Sequence, residues 1–139
     1  PTGTCAFYTT CLEDKYKCGS KGYPKSYGYK YCKAFSNRRS KFNAKGKAWI
    51  SKTMVCLQKK LVPAVQKKSG YNTCAKIKSK AFDSHSVCYV KSGLCTLGPS
   101  QWKQIFLTVD FKDLFGGWAQ LKEVAQSVSG CLDFYWWVV

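Results

Sequence analysis

Nine cysteines are spread along the 139 residues, and their spacing constrains the fold more than any other feature of this chain. Zinc sites usually combine closely spaced cysteine pairs with histidines. Here no two cysteines are closer than six positions, and His85 is the only histidine. The pattern therefore predicts a disulfide framework, which forms in an oxidising compartment. We expect a secreted or luminal protein with no metal site and no cofactor, in which one cysteine has no partner within the chain.

Apolar residues recur at helical spacing in several segments, the clearest of which runs from Ala48 to Val65. The pattern predicts an all-α fold, a small disulfide-stapled helical bundle formed as one domain over residues 1–139. Pro63 lies inside the clearest segment, and we expect it to kink the helix or to end its regular part near Leu61. The predicted helices cover approximately 27–39, 48–65, 72–92, 100–115 (with Ser100 as N-cap) and 118–128.

The domain divides into three parts by composition. Residues 1–26 lack a helical period and contain Gly19, Gly22 and Pro24, so we expect loops and short turns held by disulfides. Residues 27–92 should contain the basic helices. Residues 93–139 should form an aromatic-rich helical hairpin.

Positive charge is concentrated in the first two thirds of the chain. Residues 1–92 carry 20 lysines and arginines against three acids, a net charge of +17. Residues 93–139 carry three lysines against four acids, a net charge of −1. A field of this sign attracts anionic partners such as nucleic acid, acidic glycans or anionic lipid headgroups. The alternative is that the lysines only keep the protein soluble.

Twelve basic residues are candidates for one face that binds an anionic ligand. They lie just before the clearest helix, along it and on the next helix: Arg38, Arg39, Lys41, Lys45, Lys47, Lys59, Lys60, Lys67, Lys68, Lys76, Lys78 and Lys80. If this face binds a polyanion, its affinity should fall steeply with salt because counterions are released. The alternative interpretation is that these side chains are solvated on unrelated faces.

The C-terminal segment carries a run of aromatic residues, Phe134, Tyr135, Trp136 and Trp137. Such side chains insert at lipid interfaces, and a basic body beside them would hold anionic headgroups. They are therefore candidates for membrane contact. The alternative is that they complete the core of a short bundle.

The sequence contains no recognisable catalytic motif, and we expect no enzyme. A pancreatic-type ribonuclease needs two histidines as acid and base, and a G-x-S-x-G elbow for a serine hydrolase is missing. Asp83 and His85 are candidates for a metal-dependent nuclease site. At positions i and i+2 of a helix, however, they point to different faces. For His85 we expect a surface or capping role.

One segment and several cysteine intervals resemble a known family. The nine residues 42–50, FNAKGKAWI, followed by Cys56, resemble the stanniocalcin pattern F-[DN]-x-x-G-K-A-[FW]-[VI]-x5-C. The residues Cys11-Leu12-Glu13 are similar to the C-L-E segment of that family, and the cysteine intervals from Cys32 onward agree with it or nearly so. The resemblance implies a secreted, helical, disulfide-linked, hormone-like glycoprotein.

The same resemblance implies four disulfide pairs and one remaining cysteine. The pairs are Cys5–Cys32, Cys18–Cys74, Cys56–Cys88 and Cys95–Cys131. The family's partner of Cys11 would precede Pro1, so the resemblance implies that Cys11 is the odd thiol, either free or joined to a second chain.

Three classes of function are compatible with the sequence. The first is a secreted toxin or defence effector that binds an anionic cell surface through the lysine face. The second is a hormone-like signalling ligand with a protein receptor, as the resemblance implies. The third is a nucleic-acid-binding or nuclease-like protein.

Overall fold

The computed structural model describes residues 4–109, 123 and 131–138, and every regular element within these ranges is helical. The α-helices are, in chain order, α1 (Asp14–Tyr16), α2 (Lys30–Arg38), α3 (Ala44–Lys59), α4 (Val62–Val65), α5 (Cys74–Lys91), α6 (Pro99–Thr108) and α7 (Leu132–Val138). There are also two π-helices, Phe7–Glu13 and Pro24–Tyr29, and two 3-10 turns, Arg39–Lys41 and Leu94–Thr96. The all-α fold class predicted from the sequence is confirmed.

The two longest described helices, α3 and α5, begin at polar capping residues. Asn43 accepts a hydrogen bond from the backbone N–H of Gly46 at 2.9 Å, and Thr73 accepts one from that of Lys76 at 3.1 Å. Each bond satisfies an N–H group that has no partner inside its helix. The helix ahead of Pro63 ends as the proline predicts: α3 stops at Lys59, and Pro63 lies in the first turn of α4, where a missing N–H costs nothing.

The N-terminal part contains helical turns where the sequence predicts loops. The π-helix Phe7–Glu13 continues directly into α1, and the longest described non-helical stretch of this part is 17–22. The buried side chains of Phe7, Tyr8 and Leu12 explain the difference. Their burial against the rest of the molecule stabilises a helical turn that the local sequence does not favour.

The beginning of α6 also differs from the prediction. Its N-cap is Gly98 and not Ser100, because Pro99 occupies the first helical position, where its fixed φ and missing N–H fit best. The helix ends at Thr108. The rest of the predicted helix over 100–115 and the predicted helix over 118–128 fall outside the described residues, apart from Val109 and Glu123.

Within the part of the chain that the structure describes, two apolar clusters form the core. The first is built around Trp49, Trp102 and Phe134, and the second around Phe7, Leu12, Leu61 and Ile77. Met54 packs against both clusters.

Two tryptophans of the first cluster also bind backbone carbonyls, one in the last turn of α5 and one in the 3-10 turn after it. The indole Nε1 of Trp49 donates to the carbonyl oxygen of Tyr89 at 2.9 Å, and that of Trp102 donates to the carbonyl of Leu94 at 2.8 Å. The carbonyl of Tyr89 lies in the last turn of α5, where carbonyl groups have no partner within the helix. Trp49 thus combines apolar burial with capping of α5, and Trp102 binds the 3-10 turn that follows it.

Four disulfides connect these elements: Cys5–Cys32, Cys18–Cys74, Cys56–Cys88 and Cys95–Cys131. They are the same four pairs that the family resemblance implies. Each closes a loop of 27 to 56 residues. In the chain-entropy model each therefore stabilises the fold by about 3.5–4 kcal/mol. Among the described residues, no helix is both long enough and apolar enough to cross a membrane.

Replacing Trp49 by alanine tests the packing of the first cluster. The side chain is 1% exposed, so we expect Trp49→Ala to lower the free energy of unfolding by about 3–5 kcal/mol. Trp136 is 68% exposed, and Trp136→Ala should change the free energy of unfolding by no more than about 0.5 kcal/mol. Guanidinium denaturation followed by circular dichroism measures both. Equal losses in the two variants would contradict the assigned core.

Candidate anion-binding groove

An open groove lies between the C-terminal half of α3 and the C-terminal end of α5. The described residues that line it are Ser51, Lys52, Val55, Cys56, Lys59, Lys60, Lys91 and Ser92. Four of these eight are lysines, and none is acidic. We call these four lysines, Lys52, Lys59, Lys60 and Lys91, the groove lysines.

Helix geometry and one disulfide bring the groove lysines together. Residues three, four and seven positions apart share one face of an α-helix, which places Lys52, Cys56 and Lys59 in a row along α3. The disulfide from Cys56 to Cys88 holds that face against α5. Lys91 follows Cys88 by one helical turn and so reaches the same groove.

An arginine lies beside the groove. Arg39 donates from Nη1 to the carbonyl oxygen of Lys47 at 3.2 Å and to the hydroxyl of Ser51 at 2.8 Å. Ser51 lines the groove, so the guanidinium adds positive charge next to it. All four groove lysines are exposed. Like charges gathered without an acid in the described lining repel one another, and a bound anion relieves that repulsion.

The structure places the predicted basic residues in several regions. Lys59 and Lys60 line the groove, while Arg38 is half-buried and ties α2 to α6. Its Nε donates to Thr108 Oγ1 at 3.1 Å, and its Nη2 donates to Gln104 Oε1 at 2.8 Å. Outside the groove lining, Lys41 and Lys45 are exposed and Lys47 is half-buried near the start of α3.

The remaining predicted lysines belong to other surfaces. Lys67 and Lys68 lie in the turn after α4. The ammonium groups of Lys78 and Lys80 lie 5.5 and 5.3 Å from the ring centres of Tyr27 and Tyr71, within the range of cation–π attraction. The Nζ of Lys76 donates to Asn72 Oδ1 at 3.2 Å.

Sequence reasoning did not select Lys52 and Lys91 for the anionic-ligand face. Lys52 precedes Lys59 by seven positions, or two turns of a helix. This spacing was the sequence signal that could have placed Lys52 on the same face as Lys59. Lys91 depends on how α3 and α5 are paired. The available signal for Lys91 was the Cys56–Cys88 bond that the family resemblance implies, because Lys91 follows Cys88 by three residues.

The C-terminal aromatic residues pack in different ways. Phe134 is 1% exposed and packs edge-on against Trp102, so the membrane contact predicted for it is wrong. The ring of Trp137 lies against Trp102 and Phe106 while staying 40% exposed. Trp136 is largely exposed, and Tyr135 is half-buried with its ring edge-on to it. For these last three residues, membrane contact stays a prediction.

His85 does not have the predicted surface or capping role. It is 5% exposed, and its Nε2 lies 3.0 Å from the hydroxyl of Tyr23. The rings of Phe82 and Tyr89 pack against it, which explains its burial. Asp83 is exposed on the same helix, so the two residues share no site. Among the described residues, no three metal-ligating side chains come together.

An interior cavity of about 40 Å³ lies beside this histidine. Its lining includes Tyr23, Thr53, His85 and Trp49. Pockets for organic ligands usually measure about 300–1,000 Å³, so this cavity is far too small to hold one. The groove between α3 and α5 is therefore the better candidate for a binding site.

The fold and the groove define a class of protein: a helical, disulfide-linked protein that presents a cationic surface. Comparison with family models gives the family. The model of the stanniocalcin family matches residues 2–133, and the chain belongs to that family. Neither a curated protein nor a solved structure matches it. Stanniocalcins are secreted hormones and not enzymes, and the disulfide-rich fold agrees with a secreted, hormone-like protein.

Burial gives two tyrosines a pH-dependent effect on stability. Tyr8 and Tyr23 are each 3% exposed, and burial raises the pKa of both above 10.0. For Tyr23, the nearby Tyr8 and Tyr89 raise the pKa further, and for Tyr8 a hydrogen bond with Gln58 opposes the rise. Above pH 10 the unfolded chain therefore releases protons that the folded protein keeps.

The free energy of unfolding should consequently be unaffected by these tyrosines below about pH 10 and should fall above it. The slope should reach about 1.4 kcal/mol per pH unit for each tyrosine. A Tyr8→Phe, Tyr23→Phe variant should show a flatter dependence in urea denaturation at increasing pH. Both proteins should carry Cys11→Ser, because a free thiolate would exchange disulfides in alkali. An identical slope in both proteins would contradict the assignment.

Proposed function

We propose that this protein is an extracellular, hormone-like stanniocalcin that binds acidic glycans of the cell surface through its groove lysines. The observation that carries the proposal is the gathering of four lysines in one groove whose described lining contains no acid. Hormones of this family act through receptors. Glycan binding would hold the protein at the surface where a receptor is found, and so raise its effective concentration there.

The chemistry of the groove favours a sulfated or carboxylated glycan over nucleic acid. Lys52 and Lys59 are separated by about 10 Å along α3, so the groove presents its charges in a row that suits a linear polyanion. Its described lining has no aromatic side chain on which a base would stack. An oxidising compartment agrees with an extracellular ligand.

A toxin or defence effector that acts on lipid headgroups is a second candidate. It is favoured by the exposure of Trp136 and Trp137, at 68% and 40%, near the end of the described chain. The burial of Phe134 reduces the aromatic surface available for such insertion. Binding and leakage assays on vesicles of anionic lipid separate this candidate from glycan binding.

A fourfold substitution of the groove lysines by glutamine tests the proposal. The matched control replaces Lys67, Lys68, Lys76 and Lys80 by glutamine, so both variants lose four positive charges. On immobilised heparin, we expect the groove variant to elute at clearly lower salt than the control. In solution, the slope of log K against log salt should become shallower by about 3 in the groove variant, at about 0.7–0.9 per lysine.

The control should show a smaller drop in eluting salt and a smaller change in slope than the groove variant. Circular dichroism should show that both variants are folded. If the two variants weaken equally, net charge and not the groove determines binding, and the proposal fails. The same titration on duplex DNA and on anionic vesicles shows whether the groove prefers glycan. If the groove variant still binds to cells saturably at high salt, the receptor contact lies on another surface.

The fate of Cys11 is a separate question. Cys11 is the free cysteine of the structure and is half-buried in the first π-helix. Because stanniocalcin hormones form disulfide-linked dimers in some cases, we propose that Cys11 joins a second chain. Non-reducing electrophoresis should show a dimer that disappears on reduction and in Cys11→Ser. A wild-type monomer with one titratable thiol would contradict this role.

A further inference from the structure

We propose that the turn 66–70 is a cleavage site for extracellular lysine-specific proteases, and that cleavage converts the protein into two disulfide-linked chains. The turn consists of Gln66, Lys67, Lys68, Ser69 and Gly70. It connects α4 to the segment before α5. The proposal rests on the backbone and surface of this turn and does not depend on glycan binding.

The turn is the most accessible lysine-containing loop of the described chain. All four residues of 66–69 are exposed. The non-helical stretch that contains them, 66–73, is longer than any other stretch between helices in the described ranges. Proteases bind their substrates in extended form and cut preferentially at exposed loop tips with small or polar residues.

Among the described residues, the hydrogen bonds that hold the backbone of the turn are local. The N–H groups of Lys67 and Lys68 donate to the carbonyls of Ala64 and Pro63, each at 3.0 Å. Lys67 has a φ of 55°, in the left-handed region that costs free energy for a residue with a side chain. Opening such a segment breaks few contacts, so it opens more readily than the helices on either side.

The two lysines supply the side chains that a trypsin-like enzyme recognises in its acidic specificity pocket. Ser69 and Gly70 follow the pair and add little bulk on the leaving side. The reaction is hydrolysis of the Lys68–Ser69 peptide bond. Water supplies a hydroxyl to the Lys68 carbonyl and a proton to the Ser69 nitrogen, so no further reagent is consumed.

The disulfide framework determines what cleavage produces. The Cys18–Cys74 and Cys56–Cys88 bonds cross the cut and link residues 1–68 to residues 69–139. Leu61 on one side of the cut and Ile77 on the other belong to the same core cluster. The cleaved protein therefore stays folded as one molecule. It gains a new carboxylate and a new amino group at a surface that was a continuous turn.

Limited digestion with trypsin at a low enzyme ratio tests the proposal. Without reduction, mass spectrometry should show one species heavier by a single water molecule. After reduction it should show two fragments that end and begin within 67–69. In a Lys67→Gln, Lys68→Gln variant, this cleavage should slow by at least about tenfold.

The matched control is Lys59→Gln, Lys60→Gln, which changes the same dipeptide at the end of α3 and should be cleaved at the wild-type rate. The proposal is overturned if the first cut falls elsewhere, including after Lys112 or Lys122. It is also overturned if both variants are protected equally. Loss of the helical circular dichroism signal in the cleaved, unreduced protein would contradict a stable two-chain form.

Discussion

The disulfide between Cys56 and Cys88 is the constraint on which the rest of the structure depends. It joins α3 and α5, the two longest described helices, close to their C-terminal ends. With that distance set, the indole of Trp49 reaches the last turn of α5, and the first core cluster closes around it. The same bond brings Lys91 to the face of α3 that carries Lys52 and Lys59. Core packing and the charged surface thus follow from one covalent restraint.

The charge of the protein makes such restraints necessary. A net charge of +16 on 139 residues means that folding brings like charges together, which destabilises the compact state. The fold reduces this repulsion by leaving most of the predicted lysines on the surface. It also places Lys78 and Lys80 over the rings of Tyr27 and Tyr71. Each disulfide lowers the entropy of the unfolded chain and so offsets part of the remaining repulsion.

Much of the helical part was predictable from the sequence, because α3 and α5 have apolar periodicity and Pro63 interrupts the first run. The start of α3 at Ala44, four residues before the predicted start, depends on the cap at Asn43. The π-helix Phe7–Glu13 was not predictable, since it forms through burial of residues that show no period. A surface or capping role was predicted for His85, and the structure buries it instead. In the structure His85 contacts Phe82, three residues away, and Tyr23, which is distant in the chain. The groove could not be predicted from local patterns, because it forms where α3 packs against α5 and no local pattern shows which helices are neighbours.

The position of Cys56 in the groove lining connects the proposed ligand binding with redox chemistry. Its partner Cys88 is fully buried, whereas Cys56 is half-exposed beside the groove lysines. Disulfides are reduced by attack of an anionic thiolate, and a cationic groove attracts such a reductant toward this sulfur. An anionic chain that occupies the groove neutralises this attraction and covers the sulfur. If the groove binds the proposed anionic ligand, the bond that joins the two longest described helices is better protected from reduction than in the empty groove.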